Sequence, residues 1–219
     1  QTGGGVSPLS FDGSANPPQA EVGEDIAVQL ILLGNPELCD PVETRRPLDI
    51  ILVVDRSGSM EDPLGEGFSG SKLQGAIEAI DNFLGFIDPN QDRVGVVSFA
   101  GNGAELSELG SATQVRAELT NLETGNGLLI PGTNIEAGIR TAHTLITKDA
   151  RPLDEASPIL ILLTDGQQTG GDAASAAQDA RADNIRIIPI GLGPEVDENL
   201  MRQVASQTSD YYYAPQTSD

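Results

Sequence analysis

Leu48-Asp49-Ile50-Ile51-Leu52-Val53-Val54-Asp55-Arg56-Ser57-Gly58-Ser59-Met60 is the stretch that decides how this chain folds. Residues 48–54 form a nearly continuous apolar run, the pattern of a strand covered on both faces. The run breaks at Asp55, and hydroxyl residues follow at 57 and 59 around Gly58, where the backbone can bend tightly. Read as a short extended loop, Asp55, Ser57 and Ser59 alternate so that their oxygens converge. A carboxylate at the carboxyl end of a buried strand stands where open α/β sheets take their ligands.

The segments downstream repeat the strand–helix theme. Apolar residues at 73, 76, 77, 80, 83, 84 and 87 make a helical stripe over 73–87, with Ser71 placed to cap it. Residues 93–99 and 104–109 read as strands, 115–122 and 135–146 as helices, and 158–164 as a second buried strand. An Ala-rich helix over 172–183, a strand over 185–190, a helix over 197–205 and a strand at Tyr211-Tyr212-Tyr213 complete the series. Strands alternating with helices predict βαβ crossovers, hence a doubly wound, mostly parallel α/β sheet with helices on both faces.

Residues 1–47 are different. Gln1 to Gly5 reads as a flexible tail, and Ile26, Val28, Leu30 and Leu32 alternate as one face of a strand. Asn35-Pro36, Asp40-Pro41 and Arg46-Pro47 then forbid helix and most ladder pairing. Residues 1–47 are therefore expected to be a small β appendage with a Pro-rich linker, part of a β-sandwich or a donor strand, and 48–219 the main domain. Cys39 is the only cysteine, so it is either a buried thiol or the partner of a cysteine outside the chain.

Charge excludes whole classes of partner. The 219 residues carry 12 Lys+Arg against 33 Asp+Glu, a net charge of −21. Nucleic acid and anionic membrane surfaces both need cationic partners. Lysine occurs only at positions 72 and 148.

Two further segments join Asp55. The strand over 158–164 runs into Asp165-Gly166, at the same edge of the sheet, and Pro131-Gly132-Thr133-Asn134 enters the helix that starts near Ile135. Asp55, Ser57, Ser59, Thr133 and Asp165 offer two carboxylates and three hydroxyls, all hard oxygen donors suited to Mg²⁺, Mn²⁺ or Ca²⁺ rather than zinc or copper. Thr133 has a second reading, as the N-cap of a capping box with Glu136. Gly65-Glu66-Gly67-Phe68-Ser69-Gly70 matches a dinucleotide fingerprint in spelling only. It does not hug a strand end, and the nearby acids repel phosphate.

The loop Asp55-x-Ser57-x-Ser59, Gly132-Thr133-Asn134-Ile135 and Leu163-Thr164-Asp165-Gly166, in that order, resemble the von Willebrand factor A domain. Asp92 to Phe99 and Tyr211 to Ala214 are similar to it as well, so the resemblance runs from about Leu48 to Ala214. It implies one antiparallel edge strand and a metal-ion-dependent adhesion site built from Asp55, Ser57, Ser59, Thr133 and Asp165. It further implies a divalent cation, Mg²⁺ first, completed by an Asp or Glu carboxylate from a partner protein, with Asp165 often acting through water. Family members usually continue into a closing helix; the chain stops at Asp219, so either it is a fragment or that helix is expected to be absent.

The reading that follows is a non-enzymatic adhesion module, extracellular or on the cell surface. The alternatives are a subunit of a surface filament that self-associates through residues 1–33, and a metal-dependent hydrolase. The hydrolase needs a positioned base. Its candidates are Glu61, Asp62 and Glu136, since His143 lies too far along its helix.

Overall fold

The computed structural model describes residues 9–11, 32–34, 45–63, 70–124, 131–166, 168–193 and 195–214. The chain divides into two compact units, and everything that bears on the site lies in Arg46–Thr217. In the N-terminal unit, β1 (Leu9–Phe11) pairs antiparallel with β2 (Leu32–Gly34). Ile26, Val28, Leu30, Cys39 and Gly65 to Ser69 lie outside the described residues.

The larger unit contains a six-stranded sheet. Its strands are β3 (Leu48–Asp55), β4 (Arg93–Phe99), β5 (Gly103–Gly110), β6 (Ser157–Thr164), β7 (Arg186–Leu192) and β8 (Tyr212–Ala214), in spatial order β5-β4-β3-β6-β7-β8. All neighbours are parallel except β4 and β5, so β5 is the antiparallel edge strand. The doubly wound α/β architecture expected from the sequence is the one observed. Pro189, which has no N–H to donate, sits in β7 one residue before β8 begins to pair, at Ile190.

Among the described residues, five α-helices cover the sheet: α1 (Lys72–Leu84), α2 (Ala112–Thr124), α3 (Ile135–Asp149), α4 (Ala173–Ala182) and α5 (Glu198–Val204). The continuous apolar run of β3 is explained by its two faces. Ile51 and Val53 pack with α3, α4 and α5, while Ile50, Leu52 and Val54 pack with α1 and α2. Each fully buried aliphatic side chain contributes roughly 1.5–3 kcal/mol, so both faces must be apolar for the sheet to carry two helical layers. Close approach also needs small residues. Gly138 of α3 lies so near the Phe99 ring that a Cβ there would come within 2.7 Å of it.

At the amino end of β3 the run contains Asp49, completely buried. Arg93 donates to both of its oxygens at 2.9 and 2.7 Å, and Arg151 adds a backbone N–H at 2.6 Å and two guanidinium bonds. Burial alone would raise this carboxyl, but the hydrogen bonds from Arg93 and Arg151 outweigh it and hold the group below its ordinary value. This clamp closes the end of the sheet opposite the candidate site.

Candidate metal centre

The strand order reverses between β3 and β6, since β3 leads to β4 on one side and β6 leads to β7 on the other. The crevice at their carboxyl ends is the place such sheets reserve for ligands. Asp55 ends β3 and Asp165 follows β6, and both are buried. Asp55 Oδ1 accepts the Ser57 backbone N–H at 2.8 Å, and Oδ2 accepts the Thr164 hydroxyl at 2.5 Å. Burial pushes the Asp55 carboxyl up to about 6, against the pull of the Thr164 and Ser57 donors and with the help of the Asp165 charge.

The loop after Asp55 is not extended throughout, which corrects the expectation from alternation. Ser57 has extended backbone, but Gly58–Glu61 closes a 3-10 turn. Met60 N–H bonds to the Ser57 carbonyl at 3.0 Å, and the Met60 side chain is fully buried against the α1 face. Burying that thioether winds the turn inward. The convergence of oxygens survives: Ser57 Oγ lies 3.3 Å from Ser59 Oγ, and Ser59 Oγ donates to Asp165 Oδ1 at 2.8 Å.

Thr133 is not the N-cap of α3, a second correction. Asn134 takes that role, its side chain accepting the Ala137 N–H at 3.0 Å. Glu136 does not reach back to complete a box; it bonds Arg140 and the Asp172 N–H. An amide one residue nearer the helix caps it, and the Thr133 hydroxyl is left for other work. The Thr133 backbone is fixed on both sides by Thr169, through a 2.9 Å bond in each direction. Its hydroxyl faces Gly166, where an added Cβ would come to 3.2 Å. Four of the five anticipated residues are thus linked by direct hydrogen bonds, and Thr133 borders them beside Asp165.

A sixth residue enters the cluster. Lys72 Nζ donates to Asp165 Oδ2 at 2.6 Å. The ammonium thus sits against the oxygen cluster, and two carboxylates with three hydroxyls are a donor set of the kind that suits a hard divalent ion. Among the described residues there is no group of three or more His, Cys, Asp or Glu that could hold a metal ion, so any ion here would lean on the hydroxyls as well as on the two carboxylates.

The family model described as the von Willebrand factor type A domain matches residues 49–219. The chain belongs to this family. Chicken matrilin-1 is 31% identical over 172 residues, covering 75% of this chain and 32% of matrilin-1. The chain therefore spans about a third of that relative's length. Among solved structures, the mussel byssus proximal thread matrix protein 1 with a zinc-occupied MIDAS motif superposes with a TM-score of 0.66 at 18% identity, over 78% of this chain and 44% of that one. The pilus adhesin SpaC of Lactobacillus rhamnosus GG, in an open conformation, gives 0.62 at 19%, over 81% and 29%. Both share the fold.

Within this von Willebrand factor A domain, two of the candidate bases, Glu61 and Asp62, are exposed at the end of the 3-10 turn that carries Ser59. Glu136 is paired with Arg140 at 2.6 Å. His143 Nε2 lies 2.7 Å from Asp183 on the α4 side. Sequence reasoning overlooked Lys72 and Thr164 as parts of the cluster. The signal for Lys72 was available: a lysine at the first position of a helix, in a chain with only two, sits at the end of the helix dipole that repels it.

Proposed function

We propose that this chain is a non-enzymatic adhesion or protein-interaction module that binds a partner carboxylate through a divalent cation. Asp55, Ser57, Ser59, Thr133 and Asp165 hold the ion, Mg²⁺ first, with Mn²⁺ or Ca²⁺ as substitutes. The supporting observation is the junction of β3 and β6, where two buried carboxylates are bridged by Ser57 and Ser59 and a cation already rests on one of them. When bound, the ion supplies an electrophilic position that attracts an anionic oxygen. Two Asp carboxylates balance one divalent charge, leaving the partner's Asp or Glu to complete the shell.

Kinship with matrilins and a collagen chain, and the pilus adhesin among the fold relatives, support work outside the cell or on its surface. Residues 1–47 are an appendage to the domain that follows. The filament reading draws less support, because β2 already pairs with β1 in the same chain. The hydrolase reading draws less support: of its candidate bases, Glu136 is held by Arg140 and the Asp172 N–H, and Glu61 and Asp62 are exposed on the turn after Ser59.

Calorimetry with Mg²⁺ and Mn²⁺ tests the proposal. One ion per chain, reversed by chelator and lost in Asp55→Ala with the fold retained, supports it. Equal binding by wild type and Asp55→Ala overturns it. Turnover of a phosphoester panel that depends on the same ion and on Asp55 would move the assignment to the hydrolase.

A further inference from the structure

We infer that Lys72 is a tethered cation that occupies part of the metal site and must leave Asp165 when a divalent ion binds. The inference rests on the metal-binding reading above and deepens it. Lys72 is the first residue of α1, where the helix dipole favours anions and penalises an ammonium. Nothing in the capping of α1 calls for it, because Ser71 and Gln74 close the box by themselves. What Lys72 gains is Asp165, whose side chain is fully buried, while its own is only 12% exposed. Its stem passes Gly193, where an added Cβ would meet Cε at 3.8 Å.

Charge then makes the two cations competitors. Asp55 and Asp165 together carry two negative charges, which one divalent ion neutralises. With the ammonium retained the pocket is over-neutralised, and two cations share one carboxylate at contact distance in a setting of low polarity. The tether also reaches the turn that carries Ser59. The Lys72 N–H bonds to the Asp62 carbonyl at 3.0 Å, the Asp62 N–H bonds to the Ser59 carbonyl at 3.1 Å, and Ser71 bridges to Pro63. Displacement of Lys72 is therefore felt at the start of α1 and at the serine loop together. The bound ion and the freed ammonium are two states of one device.

The chain carries its own control for testing this. It has two lysines, and Lys148 is 61% exposed. Amine labelling of the wild-type protein with acetic anhydride, read by peptide mass spectrometry, compares Lys72 with Lys148. The expected result is slow labelling of Lys72 without metal and several-fold faster labelling after Mn²⁺ is added, with Lys148 unchanged. In parallel, Lys72→Met keeps the stem and removes the charge. It is expected to bind Mn²⁺ more tightly than wild type by about 5- to 150-fold, the usual span for coupled sites.

Unchanged Lys72 labelling, with Mn²⁺ binding that Asp55→Ala abolishes, overturns the inference and leaves the metal site standing. Equal or weaker Mn²⁺ binding by folded Lys72→Met overturns it in the same way. If wild type, Lys72→Met and Asp55→Ala all fail to bind Mn²⁺, the metal site and the inference fall together. Should Lys72→Met not fold, the labelling arm on wild type decides alone.

Discussion

The Thr164 hydroxyl donates a 2.5 Å hydrogen bond to Asp55 Oδ2, joining the ends of β3 and β6 across the point where the strand order reverses. Residues 109 positions apart in sequence thus orient one carboxylate between them. Thr164→Val removes the donor and leaves a buried carboxylate oxygen unpaired. The expected loss is about 1–3 kcal/mol of stability. A lower urea midpoint at unchanged slope measures it, and Thr164→Ser restores it.

The raised Asp55 carboxyl sets a pH dependence with a definite sign. Its folded value of about 6 lies above its ordinary 3.8, so between these values the native state holds more protons than the unfolded chain. In metal-free protein this term favours folding at the acid side and is lost as pH rises through about 6. A divalent ion competes for the same oxygen, so Mg²⁺ affinity is expected to climb over that range. Melting curves of wild type against Asp55→Asn isolate the term, because the variant removes this contribution to the slope.

Asp49 has the opposite sign. Its carboxyl is held below 3.8 in the folded chain, so its contribution is present above that value and lost as pH falls through the lower, folded one. Asp49→Asn leaves Arg93 and Arg151 without their shared charge, at a cost of about 3–5 kcal/mol. Chemical denaturation at neutral pH reads that loss, and acid titration reads a flatter acid limb. Divalent-ion affinity, at the other end of the sheet, is expected to stay unchanged.

Gly138→Ala improves helix propensity yet places a methyl against the Phe99 ring. Overpacking of this kind costs about 1–3 kcal/mol, more than the propensity returns. A reduced melting temperature checks it, and the double variant with Phe99→Leu is expected to recover part of the loss.

The net charge of −21 bears on how fast a carboxylate partner arrives. Repulsion between two acidic bodies is screened beyond about 8 Å at physiological salt, while the ion-mediated contact is short. Association measured by surface plasmon resonance is therefore expected to quicken as NaCl rises from low values.

Much of this was legible in residue order. The pattern over residues 93–99 predicts a strand, and it is β4, because alternating and continuous apolar patterns report burial directly. The triplet of motifs pointed to one edge, because strand ends in a parallel sheet gather there, and Asp55, Ser57, Ser59 and Asp165 do meet in one hydrogen-bonded cluster. What escaped depended on contacts that no local pattern encodes. The cap of α3 passed from Thr133 to Asn134, since either residue type suits the position and the Ala100 carbonyl, holding the Asn134 N–H at 2.7 Å, fixes the backbone there. The turn at Ser59 was set by the burial of Met60. Arg151 found Asp49, and Lys72 found Asp165, only through the register of the finished sheet.

Asp55, Thr133 and Asp165 meet only after β3 and β6 have paired and α3 has docked, so an unfolded chain presents no such pocket. An ion bound there is released on unfolding, and occupancy shifts the folding equilibrium by mass action. With the proposed ion bound, divalent-ion concentration would become a clock on proteolytic lifetime: chelation is expected to hasten digestion of the domain, and a mineral-rich medium to prolong its service.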